Sequence, residues 1–304
     1  MSSNLITMSL LGKYGRFGNQ LFQYAFLQTY ARTWGLEVQT APWVGEDLFG
    51  LPSRPVTVKL PAYEERHDNT HGIYKPLLPV SDEASGHDFC GYAQYHTSYY
   101  SSFLAIIRNL FWPRKEVLDR LAPALVKFQD MGRTRIGIHI RRGDYGRLIH
   151  YITPVAWYKQ WLTEHWQAFD DPVLFMATED RALAKEFAEY SPVLAEDLGI
   201  NLKTEPLPSY TYLHHDMKTR DPHQMDFYPD FWLLQNCEVI AAGNSTFSFV
   251  AAMLNVNLQQ FWRSHLPTQS FVRVDPWDAH PLTWDRVEDY PHVSGIASKD
   301  NPYW

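Results

Sequence analysis

A strand pattern that runs into a polar cluster and then into a helical pattern recurs along this chain, and it limits the fold more than any other feature. TRIGIHI, residues 134–140, alternates apolar side chains at Ile136, Ile138 and Ile140 and then turns into RRGDYG. Thr153 reads as an N-cap and Pro154 as the first helical residue of VAWYKQWLTEHWQAF. DPVLFMATED reads as a strand with a polar end, and RALAKEFAEY as its helix. PDFWLLQNC is a further helix, EVIAA a strand, GNSTFS a loop and FVAAMLN a helix. Strands alternating with helices predict a parallel sheet covered by helices on both faces.

The N-terminal part begins the same way. NLITMSLL, residues 4–11, is a buried strand, KYGRFGNQ a glycine-punctuated turn, and LFQYAFLQTYARTW a helix carrying Leu21, Tyr24, Ala25, Gln28 and Ala31 at helical spacing. Gly35 is the expected stop, and LEVQTAPWV the second strand. That order is Rossmann-like. Residues 40–100, rich in Pro, Gly, His and Tyr, read as irregular structure around a pocket, and residues 103–130 as helices broken at Pro113 and Pro123. The expected division is a Rossmann-like domain at 1–130, a second Rossmann-like domain at 131–280 and an extended tail at 281–304.

Composition removes several classes of function. A net charge of −7 over 304 residues argues against a nucleic-acid partner held by a broad basic face, though not against a small basic pocket. Cys90 and Cys237 are the only cysteines, too few and too far apart for a disulfide framework or a zinc pattern. Cys237 reads as a buried thiol. The start of the chain lacks a signal-peptide pattern, and no apolar run reaches membrane-spanning length. The expected location is the cytoplasm, free or beside a membrane. The aromatic content, with 11 Trp and 18 Tyr, suits sugar-facing surfaces and ordinary cores alike.

In open α/β sheets, ligands bind beyond the carboxyl ends of the strands. HIRRGDY, TED and GNSTFS fall at such ends in the second domain, and GRFGNQ in the first. One of Arg141 and Arg142 could clamp a phosphate or pyrophosphate, since guanidinium presents paired donors to oxyanions. Strand alternation turns only one of them toward the ligand and leaves the other as a structural ion-pair partner. Asn244, Ser245, Thr246 and Ser248 precede a helix, where hydroxyls and free N–H groups make an anion site or a plain N-cap. Gly15 and Gly18 allow close backbone approach. Asn19 and Gln20 cap the helix or touch substrate, and Glu179 and Asp180 accept hydrogen bonds from hydroxyls or amines. His214, His215 and Asp216 lack a spaced third ligand and read as a solvated loop, so no metal site is expected. No Walker A pattern appears.

GRFGNQLFQYA, HIRRGDY and NSTFSFVAAML, in that order and spacing, resemble the three blocks of the α-1,2-fucosyltransferases, glycosyltransferase family eleven. More loosely they are similar to the wider superfamily of GDP-fucose-dependent fucosyltransferases. The resemblance covers residues 10–35, 134–160, 172–190 and 227–256. It implies an α/β, GT-B-like fold of two Rossmann-type domains facing a cleft, with GDP-L-fucose as donor substrate and no metal or other cofactor. His139 then lies near the nucleotide, and Arg141 is the pyrophosphate arginine. Asp230 reads the guanine N1 and N2 donors, and Glu179 and Asp180 form the acidic pair of the nucleotide domain. Thr246 and Ser248 supply hydroxyls near the phosphates, and Asn19 stands close to the acceptor and the reacting centre. Glu179 stands where related sequences carry Asp, and residues 40–130 match none of the blocks.

The implied reaction is an inverting, metal-independent transfer of L-fucose to a sugar hydroxyl, with the 2-OH of a β-galactoside as the expected acceptor. Arg141 and the amides around Ser245–Ser248 meet the charge of the departing GDP, and Asp144 is the candidate base. Three other readings stand beside it: a superfamily member with another linkage or nucleotide sugar, a non-catalytic nucleotide-sugar-binding protein, and a nucleotide-independent carbohydrate binder.

Overall fold

A computed structural model describes residues 4–52, 54–66, 75–200, 202, 225 and 227–298. The His214–Asp216 stretch lies outside them. The described chain divides into two compact units, the first formed by residues 4–115 with 277–281, the second by residues from 116 onward with 225–276 and 282–298. The fold is α/β, with parallel sheets of the GT-B-like kind.

In unit 1, β1 (Leu5–Met8), β2 (Glu37–Thr40), β3 (Ala62–Glu64) and β4 (Asp88–Cys90) form a wholly parallel sheet in the order β2-β1-β4-β3. Helix α1 (Phe17–Trp34) connects β1 to β2 and ends where Gly35 adopts the left-handed conformation, at φ 66°. Many of the aromatic rings pack this core. Phe26 lies 4.4 Å from Phe89, and Tyr24 lies 5.0 Å from Trp43. The region expected to be irregular thus holds α2 (Val44–Phe49) and two three-residue strands, too short to show an alternation in sequence.

The boundary between the units falls at the first residue of α4 (Lys115–Asp130), whose remainder belongs to unit 2, and α3 (Leu104–Leu110) precedes it in unit 1. The expected break at Pro123 does not occur. Pro123 sits on the exposed side of α4, where the freed carbonyl can be hydrated, and Val117, Leu121, Ala124 and Phe128 bury one continuous face that holds both halves in line.

The sheet of unit 2 comprises β5 (Thr134–Ile140), β6 (Pro172–Thr178), β7 (Val239–Ala242), β8 (Gln260–His265) and β9 (Ser270–Arg273), in the order β6-β5-β7-β8-β9, with β9 antiparallel. Sequence pattern had not separated β8 and β9, because their buried positions include Arg263 and Ser264. Ile136, Ile138 and Ile140 pack with Tyr158, Trp161 and Leu162 of α5 (Val155–His165). The opposite face seats α6 (Tyr228–Gln235). A Cβ at Gly137 would lie 2.6 Å from Leu234 Cδ1 and 2.9 Å from Cys237 Sγ, so the helix can approach only over glycine. Cys237 is a free, buried thiol.

Three local expectations change. The N-cap of α5 is Pro154, because the Thr153 hydroxyl is spent on Ser264 Oγ at 3.0 Å. Residues Arg181–Tyr190 are 3-10 helix with a kink at Phe187, the one residue there that is buried. Residues 282–298 do not trail away as a tail. They bury Leu282, Val287, Val293 and Ile296, and Ile152 N donates to Ile296 O at 2.9 Å.

Candidate functional site

Register decides which polar loops meet. Ile140 of β5 is level with Thr178 of β6, and His139 with Ala242 of β7. The loops that begin at residues 141, 179 and 243 therefore leave the sheet side by side, with 141–146 in the middle.

Arg141 is the centre of this group. Its Nη2 lies 2.5 Å from Asp144 Oδ1 and its Nη1 3.0 Å from Glu179 Oε1, with the guanidinium 5.6 Å over the Tyr145 ring. Burial alone would lower its pKa; Glu179 first and Asp144 next more than offset this and raise it, so the charge is fixed. Arg142 faces elsewhere. Its Nη1 donates to Arg141 O at 2.9 Å and Thr153 O at 3.2 Å, and its N–H donates to Glu179 Oε1 at 2.7 Å. Glu179 thus fixes both the guanidinium and the backbone that carries it. Asp144, the candidate base, has its carboxylate engaged by Arg141.

The loop after β7 is built from inside. Asn244 is fully buried. Its Oδ1 accepts from Arg263 Nη2 at 3.0 Å and Thr283 N at 2.8 Å, and its Nδ2 donates to Ile149 O and Thr283 O. Its carbonyl accepts from Tyr145 OH at 2.9 Å, which ties this loop to the Arg141 loop. Ser245 is the N-cap of α7 (Thr246–Leu254), accepting from Phe247 N at 3.3 Å. Ser248 is turned inward and donates to Ser245 O, while Thr246 and Phe247 are half-buried. A hydroxyl and the N-terminal amides of α7 are what this loop offers an anion.

His139 is 5% exposed, and burial lowers its pKa to about 4, so it is neutral at pH 7. Its ring lies 5.1 Å from that of Phe247, and among the described residues Nδ1 has no hydrogen-bond partner. Asp180 caps the following 3-10 helix by accepting from Ala182 N. Asp230, in the first turn of α6, accepts from Arg181 Nη1 at 3.1 Å, and Arg181 Nε also pairs with Glu196.

Gly15, Gly18 and Asn19 belong to unit 1. Gly15 has φ 86°, and a Cβ there would lie 2.6 Å from Asn19 Nδ2 and 2.9 Å from Tyr92. Gly18 is buried in the first turn of α1, and Asn19 Oδ1 accepts from Gln94 Nε2 at 2.7 Å. Gln20 Nε2 donates to Gly15 O at 3.1 Å and closes the turn.

The pattern of the sequence had not pointed to Tyr145, Arg181 or Arg263. Tyr145 and Arg181 adjoin clusters already singled out, and position alone could have raised them. Arg263 gave no signal, because it lies in a strand that the pattern does not reveal. It is 4% exposed, burial lowers its pKa to about 10, and it lies 5.0 Å over the Phe249 ring.

Among the described residues no three His, Cys, Asp or Glu side chains gather as a metal site, and no helix is long and apolar enough to cross a membrane. No family model and no curated protein matches the chain. Solved structures do. NodZ α-1,6-fucosyltransferase soaked with GDP-fucose aligns with a TM-score of 0.55 at 15% identity, over 90% of this chain and 99% of that one. Fucosyltransferase NodZ from Bradyrhizobium aligns at 0.53 and 14%, over 91% and 100%. A variant of FUT1 from Arabidopsis thaliana in complex with GDP aligns at 0.51 and 11%, over 99% and 81%. At these identities the likeness is one of fold, and it is shared by chains that handle GDP or GDP-fucose.

Proposed function

We propose that this chain transfers L-fucose from GDP-L-fucose to a sugar hydroxyl, with inversion and without a metal, and that the 2-OH of a β-galactoside is the preferred acceptor. One observation carries the reading. At the carboxyl end of the unit 2 sheet, a permanently charged guanidinium stands in a loop tied by Tyr145 to the N-terminus of α7, in a chain folded like fucosyltransferases that bind GDP. The three sequence blocks support the same assignment.

In this reading Arg141, the N-terminal amides of α7 and the hydroxyls of Ser245 and Thr246 hold the pyrophosphate. Fucose departs with oxocarbenium character, and the barrier lies mostly in placing negative charge on the leaving GDP. Preorganised charge of this kind is usually the largest catalytic term. A cation already at the pyrophosphate does the work a Mg²⁺ ion would do. Asp230 accepts hydrogen bonds from the guanine N1–H and N2–H groups, with Arg181 holding its carboxylate in place, and neutral His139 packs against the nucleotide. Glu179 and Asp180 shape the adjoining loop, Asn244 and Ser248 hold the anion loop from within, and Gly15, Gly18 and Asn19 serve the acceptor side.

The test is GDP release from GDP-fucose, GDP-mannose and UDP-sugars across a panel of β-galactosides, with and without EDTA, and NMR of the product. Release that requires GDP-fucose, persists in EDTA and yields an α-1,2 linkage supports the full reading. Another linkage or donor corrects the specificity alone, whereas GDP binding without release makes the chain a binding protein.

A further inference from the structure

Behind the loop that follows β7 lies a buried arginine that none of these roles uses. Arg263 of β8 is level with Ala242, the last residue of β7, so the pairing of the two strands brings its side chain to the point where residues 243–245 turn into α7. It is 4% exposed. Nη2 donates to Asn244 Oδ1 at 3.0 Å, and the guanidinium lies 5.0 Å over the ring of Phe249. Asn244 directly precedes the N-cap Ser245, and Phe249 belongs to the first turn of the helix. The two contacts therefore bracket Thr246, Phe247 and Ser248, whose N–H groups open α7.

A charge in this place is not what packing asks for. Taking a guanidinium out of water is unfavourable, and buried charged groups, even paired ones, can often be replaced by apolar side chains of similar volume without loss of stability. Burial lowers the pKa of Arg263 to about 10, and Tyr151, which offsets part of this, is itself raised to about 12 by burial. Near neutral pH the arginine is therefore charged and the tyrosine is not. The cation stands behind a helix N-terminus, which carries partial positive charge of its own. It is also joined to Arg141 by a short chain of contacts. Asn244 O accepts from Tyr145 OH at 2.9 Å, and the Arg141 guanidinium lies 5.6 Å over the Tyr145 ring. Two like charges and a helix N-terminus on one loop favour a ligand that brings negative charge. Beside them, His139 Nδ1 is buried and has no hydrogen-bond partner among the described residues, with its ring 5.1 Å from that of Phe247. A buried polar atom left open at the same turn points to a ligand there.

We propose that Arg263 is a positioning residue for a nucleoside diphosphate in unit 2, holding the 243–248 loop through Asn244 and drawing the diphosphate to the amides of α7 by its buried charge; this rests on the function proposed above. Every residue in the argument belongs to unit 2. Arg141 meets the phosphate oxygens, whereas Arg263 acts from behind the loop and touches none of them. Its effect on binding therefore follows the charge of the ligand, absent for a nucleoside and largest for the diphosphate.

The experiment compares full-length wild type with Arg263→Gln, which can still donate to Asn244 Oδ1 but carries no charge, and Arg263→Lys, which keeps the charge. Binding of GDP, GMP and guanosine is measured by isothermal titration calorimetry, and folding is checked by Tm. Arg263→Gln should weaken GDP about tenfold or more, the scale of two unit charges ~10 Å apart at an effective dielectric constant of ~20. GMP should lose less, and guanosine nothing. Arg263→Lys should recover most of the GDP affinity. A Gln variant that binds GDP as wild type does overturns the proposal. So does a loss equal for guanosine and GDP, which marks a structural role alone, or a Lys variant no better than Gln. Should neither variant fold, Asn244→Asp decides: its carboxylate keeps an acceptor for Arg263 and cancels the charge, so GDP should weaken more than guanosine, and an unchanged preference overturns the proposal. A wild type that prefers GDP to guanosine by nothing overturns it as well. A wild type that binds neither fails earlier, at the proposed function.

Discussion

Replacing Glu65, which follows β3 and whose carboxylate accepts from Tyr92 N and Ala93 N, by Gln should change how stability depends on pH. In the folded chain the pKa of Glu65 stands at about 7 against an ordinary 4.5, chiefly because burial disfavours the charged form. The folded state therefore binds the proton more tightly than the unfolded one. Its contribution is fully present below pH 4.5 and is lost as pH rises through about 7. At about 1.4 kcal/mol per tenfold change in proton affinity, the loss is about 3 kcal/mol. Gln cannot ionise, and its amide serves the Tyr92 and Ala93 N–H groups less well, which adds an offset independent of pH. The assay is urea unfolding of both proteins at pH 5, 6, 7 and 8. Subtracting one curve from the other cancels every other titrating group. Between pH 5 and 8 the variant should gain about 2.5 kcal/mol on the wild type, the rest having been lost already below pH 5. A flat difference would falsify the reasoning, and one that falls with pH would mean the carboxylate is stabilised as an anion.

Other substitutions probe the candidate functional residues. Arg141→Ala should lower turnover about a hundredfold or more, since one oxyanion donor is worth about 2.7–4 kcal/mol, while Arg142→Ala should mainly lower Tm by releasing the carbonyls of Arg141 and Thr153. Equal catalytic losses in two folded variants would refute this division, with kcat and calorimetry as the readouts. Asn244→Ala removes the acceptor of Arg263 Nη2 and Thr283 N and the donor to Ile149 O and Thr283 O in the interior. It should cost about 3 kcal/mol by denaturant unfolding, and an unchanged midpoint would contradict the buried hub. Gly15→Ala places a Cβ 2.6 Å from Asn19 Nδ2 at φ 86°. It should destabilise by about 1–3 kcal/mol and weaken acceptor use more than GDP binding, which acceptor KM and GDP titration distinguish.

Much of unit 2 was legible because burial there has a period. Ile136, Ile138 and Ile140 alternate, and their neighbours repeat the pattern, so strand, loop and helix could be placed one after another. The polar loops after β5, β6 and β7 stood out for the same reason, as abrupt ends to apolar runs. Residues 40–100 were not legible, since β3 and β4 are three residues long and depend on parallel partners more than twenty residues away. Pro123 misled because the penalty for a helical proline is local, whereas the face that outweighs it is buried by the fold.

Sequence by itself determined the alternation, the carboxyl-end polar loops and the candidate groups within them, since each is a property of neighbouring residues. Only tertiary structure decided which arginine is clasped by Asp144 and Glu179, that Asn244 is a buried hub, and that Glu65 lies under the Tyr92 and Ala93 amides. Those outcomes depend on distances between strands far apart in the chain, and on the loss of water around a charge, which no local pattern encodes.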